Sequence, residues 1–394
     1  MIDFREAQKI ITSKARSFGS EVIDLEDAEG RILDEEIFSD RDYPPFNRSA
    51  MDGYAIKLED WENGIREFSI TETIFAGNSA TSQLNTGSCY KIMTGASVPY
   101  PANAVIRRED SNETNGKVSF SIEEISLFQN IAQKGEDLKQ GSPAIKADTI
   151  CNASVISTLA TLGKTSIRVK KLPRVAFFTT GNEVKPVKSA VNKNQIRNSN
   201  EWLVKSLLKN WRIKPELYRH LPDNKEDLFK NIENALSFDI LIMSGGVSAG
   251  DADYVPEILQ SLGVTKLFHK VAIKPGKPFW CGQMPNGGMV FALPGNPFST
   301  LVTFKLFIET FLSESLKQSI FKTLNLPFSG KRIRKSGLDE FFPAKIIGEP
   351  SKIEQVDING SGDIRLGLYA EAIAHHPKEN PELTPGTLTS CITL

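Results

Sequence analysis

Cysteine and histidine are scarce, with four of each in 394 residues. Cys89, Cys151, Cys281 and Cys391 lie far apart with no CxxC pair, which excludes a zinc ribbon and fits reduced thiols better than a disulfide framework. His375 and His376 are adjacent, and His220 and His269 are isolated, so the histidines have no metal-ligand spacing. No apolar run approaches the roughly 20 residues that a membrane-spanning helix needs. The opening stretch, MIDFREAQKIITSKA, lacks the apolar core of a signal peptide and reads as an amphipathic helix with Asp3 as N-cap. These absences lead us to expect a cytoplasmic protein with no membrane partner. Charge of either sign is also missing in excess. The net charge of −1 leaves no basic surface of the kind that counterion release on nucleic acid demands, so no nucleic-acid partner is expected. Neither GxxxxGK[ST] nor a GxGxxG after the first apolar strand occurs, which excludes a Walker loop and a dinucleotide fingerprint.

What is present is globular. Apolar residues make up 40% and charged residues 24%, values that exclude disorder, and the length exceeds what one hydrophobic core sustains. Residues 1–40 read as helix and extended chain. Residues 41–140 change to short β-type runs separated by Gly, Asn, Pro and Ser, the texture of a β-rich domain. Residues 141–172 return to a helical stretch and a short strand, so 1–40 and 141–172 together predict an elongated domain into which 41–140 is inserted. Residues 173–322 alternate strand and helix. RVAFFTTG, DILIMSGG and GMVFALPG are apolar strands ending in glycine, and they predict an α/β domain with a parallel sheet covered on both faces. Asp223 is placed to cap DNKEDLFKNIENALS, and Asn296 to cap the helix opened by Pro297. Residues 323–394 are short-stranded again and predict a small C-terminal β-barrel.

Four loops at strand ends combine glycine with hydroxyls, carboxylates or lysines. They are Thr180-Gly181-Asn182-Glu183, the run from Ser244 to Asp253, Lys274-Pro275-Gly276-Lys277-Pro278, and Leu293-Pro294-Gly295-Asn296-Pro297. In parallel sheets ligands bind beyond the carboxyl ends of the strands. Glycines such as Gly181, Gly245, Gly246 and Gly250 let backbone N–H groups approach an anion, and Ser244 and Ser248 add hydroxyls. Lys274 and Lys277 bring point charges suited to an oxyanion. Asp251 and Asp253 repel each other and the anion unless a cation lies between them, and magnesium binds carboxylate and phosphate oxygens together. Each loop alone is an ordinary turn. Together they read as a site for a phosphorylated, nucleotide-bearing ligand with a divalent ion. In the β-rich region, the stretch from Pro44 to Ala55 makes Asp52 a candidate catalytic carboxylate, beside a second unusual loop around Thr94.

SAMDGYA, IMTGASVP, GEDL, TTGNEV, RNSN, SGGVSAGDADY, KVAIKPGKP and LPGNPFST occur in that order. From about residue 40 to 320 the chain strongly resembles the molybdopterin molybdenumtransferases, the family of bacterial MoeA and the gephyrin E domain. That resemblance implies a four-domain protomer with a MogA-like α/β domain, a homodimer with a cleft shared between subunits, and insertion of molybdate into adenylylated molybdopterin with release of AMP. It implies roles in catalysis for Asp52, Thr94, Glu183, Asp253, Lys270 and Lys274, with Asp52, Glu183 and Asp253 as candidate magnesium ligands. Substrate-binding positions carried over are Gly181, Ser244, Gly245, Gly246, Ser248, Gly250, Asp251, Lys277, Pro294, Gly295, Asn296 and Ser361. Asp137 and Asp223 are weaker carry-overs. Three positions depart from the family pattern: Arg48 before SAMDGYA, Asn103 where an acid is common, and Pro343 where an arginine often follows Phe. Other cofactor-assembly proteins are expected partners. The alternatives are a molybdopterin adenylyltransferase and a gephyrin-like scaffold.

Overall fold

The computed structural model describes residues 1–246, 254–318 and 322–394. The chain divides into two compact units, one of Met1–Asp34, Ile150–Ile156 and Thr165–Leu394, the other of Glu35–Thr149 and Ser157–Lys164.

The second unit is built on a six-stranded sheet in the order Ala104–Arg107, Gly53–Ile56, Ser88–Ile92, Glu67–Ile74, Lys117–Phe120, Ser111–Thr114. All pairings are antiparallel except Glu67–Ile74 with Ser88–Ile92. Alternation puts Ala55 and Val105 in one core cluster and Tyr54, Ile56, Ala104 and Ile106 in another, so both faces are covered. Gly53 is required where it stands: a Cβ there would lie 1.9 Å from the Ile106 carbonyl oxygen. That close approach fixes the backbone immediately after Asp52.

The first unit holds two larger sheets. The central one runs Leu217–Leu221, Val175–Thr180, Ile240–Ser244, Met289–Leu293, Trp280–Gln283, Thr265–His269. Its first four strands are parallel, and the inner three, Val175–Thr180, Ile240–Ser244 and Met289–Leu293, are buried along their whole length and apolar at their centres. Val175, Phe177, Ile240 and Ile242 enter one core cluster, and Ala176, Phe178, Leu241 and Met243 the other, which is why these strands show no polar alternation. The expected parallel sheet carries an antiparallel edge formed by its last two strands. The reason is connection length. Trp280–Gln283 and Met289–Leu293 are joined by a tight turn closed by Met284 N–H to the Gly288 carbonyl, and parallel neighbours need a crossover of a dozen residues or more.

The stretch LFHKVAIKPG divides between two sheets. Thr265–His269 belongs to the central sheet, whereas Ile273–Lys274 pairs in parallel with Asp339–Glu340 of the C-terminal sheet. That sheet orders Ile273–Lys274, Asp339–Ile347, Ala372–His376, Leu388–Thr393, Thr323–Pro327, with Lys352–Gln355 paired to the far end of Asp339–Ile347 at Ala344–Ile347. It curls until Phe328 bridges Ile353, which nearly closes a small barrel around Phe328, Phe342, Ile353 and Leu383. The N-terminal helix, Phe4–Thr12, is capped by Asp3 as expected, its carboxylate accepting from Arg5 N–H. It buries Phe4, Ala7 and Ile11, and Phe4 meets Phe341 edge-on at 5.4 Å.

Candidate active-site cleft

The first central strand ends in two buried threonines, and Thr179 is the centre of a polar network. Its hydroxyl receives Asn198 Nδ2 at 2.8 Å and lies 3.0 Å from His220 Nδ1, while Asn198 Nδ2 also reaches the Tyr218 hydroxyl at 3.1 Å. Burial pushes the Tyr218 phenol well up, so it stays neutral and available as donor and acceptor. Asn198 Oδ1 accepts from Glu201 N–H and so caps the helix Ser199–Asn210. One side chain thus ties a strand end to a helix start. Two residues on, Asn200 Nδ2 donates to Ser244 Oγ at 2.9 Å and to the Gly295 carbonyl at 2.7 Å, joining two further loops.

Past Thr180, Gly181 takes φ +128°, and the Glu183 carboxylate folds back over it. Asn182 and Asp223 exchange hydrogen bonds, N–H of Asn182 to Asp223 Oδ2 at 3.0 Å and N–H of Asp223 to Asn182 Oδ1 at 3.2 Å. Asp223 is therefore not the helix cap. Asn224 takes that role, accepting from Glu226 and Asp227 N–H groups, because the reciprocal pair holds Asp223 toward the glycine loop. Gly245 has φ +98°, and a Cβ there would sit 2.7 Å from Thr180 Oγ1, so only glycine lets this loop lie against the neighbouring strand end. Asn296 stands at the N-cap position, but its side chain makes no cap bond. Its Nδ2 donates to Ser361 Oγ at 2.9 Å, and Phe298 N–H donates to the Ser361 carbonyl.

These loops surround a cleft of about 1370 Å³ in the first unit. Gly181, Glu183, Asp223, Ser244, Gly245, Gly246, Lys274, Lys277, Pro294, Gly295, Asn296 and Ser361 all line it. Lys274 and Lys277 are exposed, with no carboxylate partner among the described residues. A wall from the C-terminal sheet adds Arg332, Lys335, Glu340 and Pro343. Glu340 is buried, which pushes its carboxyl up. Hydrogen bonds from Ser336 and Arg332 outweigh that and hold it below the ordinary value, hence ionised.

Some expected residues lie elsewhere. Lys270 is not among the cleft's lining residues. It sits at φ +67°, its N–H bonded to the Phe279 carbonyl and its carbonyl to Ile2 N–H. Ser248, Gly250, Asp251 and Asp253 fall outside the described residues. Asp52 and Thr94 belong to the second unit and form a site of their own. Thr94 N–H and its hydroxyl both donate to Asp52 Oδ1 at 2.7 Å, which holds this exposed carboxyl below the usual range and leaves Oδ2 free. Arg108, whose N–H donates to the Asp52 carbonyl, adds positive charge nearby. Of the family departures, Arg48 pairs across from Ala132, and Asn103 Oδ1 accepts from Leu58 N–H. Asp137 uses its N–H on the Tyr43 carbonyl. The residues missed from sequence are Asn198, Asn200, Arg332, Lys335 and Glu340. RNSN was visible as a motif, but which asparagine caps and which bridges depends on strands far away in sequence.

Among the described residues no three His, Cys, Asp or Glu side chains cluster as a metal cage. Magnesium needs no such cage, since one or two carboxylates and substrate oxygens suffice. The free oxygen of Asp52 and the exposed Glu183 fit that donor chemistry.

A parallel-stranded α/β core with a glycine-walled, lysine-bearing cleft at its strand ends is suited to binding an anionic ligand. Comparison with known proteins narrows this. The family described as MoeA N-terminal region (domain I and II) matches residues 2–163, and a probable molybdopterin binding domain matches residues 176–314. The chain is 31% identical over 392 residues to the molybdopterin molybdenumtransferase of Synechocystis sp., covering 98% of each. It is 36% identical over 315 residues to that of Staphylococcus epidermidis, covering 78% of this chain and 74% of the relative. A crystal structure of the molybdopterin biosynthesis moeA protein from Pyrococcus horikoshii OT3 superposes with TM-score 0.85 at 27% identity, covering 100% of both chains. The chain belongs to the molybdopterin molybdenumtransferase family.

Proposed function

We propose that this enzyme transfers molybdenum from molybdate to adenylylated molybdopterin, releasing AMP and completing the molybdenum cofactor. The observation that carries the reading is the pair of unpartnered lysines, Lys274 and Lys277, in a large cleft walled by backbone-exposing glycines. Molybdate is a dianion, and charge-assisted hydrogen bonds from ammonium groups hold such an ion without covalent help. The same positive charge stabilises the phosphate that departs when the phosphoanhydride is cleaved. Glu183, folded over Gly181, stands at the lip of the same cleft and can orient a ligand oxygen or proton. Thr94 fixes the rotamer of Asp52 and keeps it ionised. Magnesium held by Asp52, Glu183 or Asp253 would supply Lewis acidity to the bound oxygens.

The reading includes a cytoplasmic homodimer, further partners among cofactor-assembly proteins, and a four-domain division at 1–40 with 141–172, 41–140, 173–322 and 323–394. No helix among the described residues is long and apolar enough to cross a membrane. The test is incubation with adenylylated molybdopterin and molybdate. Molybdate-dependent AMP release and cofactor formation are expected. ATP-dependent adenylylation of free molybdopterin without molybdate-dependent AMP release would replace this reading with the adenylyltransferase one.

A further inference from the structure

We infer that Lys335, together with Lys274, forms a two-lysine clamp for an oxyanion, organised by the buried carboxylate of Glu340. The inference rests on the proposed function only in taking Lys274 as an oxyanion ligand.

Glu340 is 2% exposed yet ionised, and all its interactions are directed at the cleft wall. Oε1 accepts from Lys335 N–H at 2.9 Å and from Ser336 Oγ at 2.8 Å, and Oε2 accepts from Arg332 at 2.9 Å. Its backbone is in parallel register with Lys274. The main chains of Lys274 and Lys335 are therefore both fixed against one residue, which brings a loop of the central region and a loop of the C-terminal sheet to the same spot. The buried carboxylate thus accepts from one cation and two further donors, three of its roughly four acceptor sites. The arginine is engaged through Nη1, which also lies 2.8 Å from His376 Nδ1, while its buried Nε has no hydrogen-bond partner among the described residues. The ammonium groups of Lys274 and Lys335 are not tied up in this way. Both lysines line the cleft, both are exposed, and neither has a side-chain partner among the described residues. On this wall Pro343 carries no charge, so Lys335 is its one uncommitted cation among the described lining residues.

Two free ammonium groups lining one cleft repel each other, an arrangement that a dianion bound between them relieves. The ligand chemistry is a tetrahedral oxyanion, which the reaction offers in two forms, molybdate and the phosphates of the adenylylated pterin. Glu340 touches no ligand in this scheme and is a positioning residue.

The experiment compares Lys335→Met, Lys274→Ala and the double variant with wild type. It uses two titrations: tungstate by calorimetry as a redox-inert molybdate mimic, and AMP in its absence. Each single variant should weaken the oxyanion about tenfold, and the double should weaken it much less than a hundredfold, because the two lysines share one ion. Weakening of tungstate places the clamp on the metal oxyanion, and weakening of AMP places it on the phosphate. Lys335→Arg should restore most of the affinity, and Glu340→Gln, which loosens the hold on the Lys335 backbone, should lower it. Unchanged affinity for both ligands in Lys335→Met, or strictly multiplicative losses, would overturn the clamp. A wild-type enzyme lacking molybdate-dependent AMP release would instead overturn the proposed function, while leaving the tungstate and AMP titrations interpretable.

Discussion

Asn198→Ala removes the residue that links the first central strand to the following helix. Its side chain is 4% exposed and performs two tasks. Oδ1 caps the helix by accepting from Glu201 N–H at 3.0 Å, and loss of such a cap costs about 1 kcal/mol. Nδ2 donates to Thr179 Oγ1 and Tyr218 OH, two buried bonds worth about 1 kcal/mol each. Thr179 and Tyr218 lie within 3.3 Å of each other and Thr179 keeps His220, so part of the second term is recovered by hydroxyl rotation. The expected net loss is about 2–3 kcal/mol, or roughly 30- to 150-fold in a local opening equilibrium. The loss is local, so amide hydrogen exchange at Glu201 and along Val175–Thr180 reads it most directly. Asn198→Ser retains a capping oxygen but loses the amide donor, and should lose about half as much. Glu201 protection in Asn198→Ala within threefold of wild type would refute the argument, since it would mean the asparagine bonds contribute nothing beyond what water replaces.

Lys274→Ala should raise the molybdate half-saturation about ten- to a hundredfold, the loss of one charge-assisted bond of about 1.5–3 kcal/mol, and an unchanged half-saturation at saturating adenylate would remove Lys274 from oxyanion binding. Lys305 and Glu309 form an ion pair of 2.8 Å with side chains 3% and 0% exposed, so Lys305→Met strands a buried carboxylate and should cost about 3–5 kcal/mol in urea denaturation, most of it regained in Lys305→Met/Glu309→Leu. Burial lowers His375 and His376 below the ordinary histidine value. The unfolded chain then binds more protons near pH 6, so stability is intact above the unfolded histidine value of about 6.5 and falls on acidification below it, a decline that urea midpoints at pH 7.5 and 5.5 should register. Sedimentation should give twice the chain mass at micromolar concentration.

The sequence by itself determined most element types and pointed to the strand-end loops that line the cleft. Apolar strands without alternation can only be buried on both faces, as Val175–Thr180, Ile240–Ser244 and Met289–Leu293 are. Glycines beside lysines and hydroxyls at their ends marked the cleft, because a backbone that must approach an anion tolerates no Cβ. Asp3 was legible as a cap from three residues of local pattern. Tertiary structure alone decided the rest, wherever a side chain had two locally equivalent uses. Asp223 and Asn224 are both good caps, and contact with Asn182, 41 positions away, settled which one serves. Asn296 had the cap position but bonds Ser361 instead. Ile273–Lys274 is too short to declare a sheet, and its pairing with Asp339–Glu340 delivered Lys274 to the cleft from the C-terminal side. Glu340 looked like one more acid in a polar strand. Only burial beside Arg332, Ser336 and Lys335, brought together by the curl of the C-terminal sheet, made its charge part of the site, because a carboxylate is costly to bury until its partners arrive.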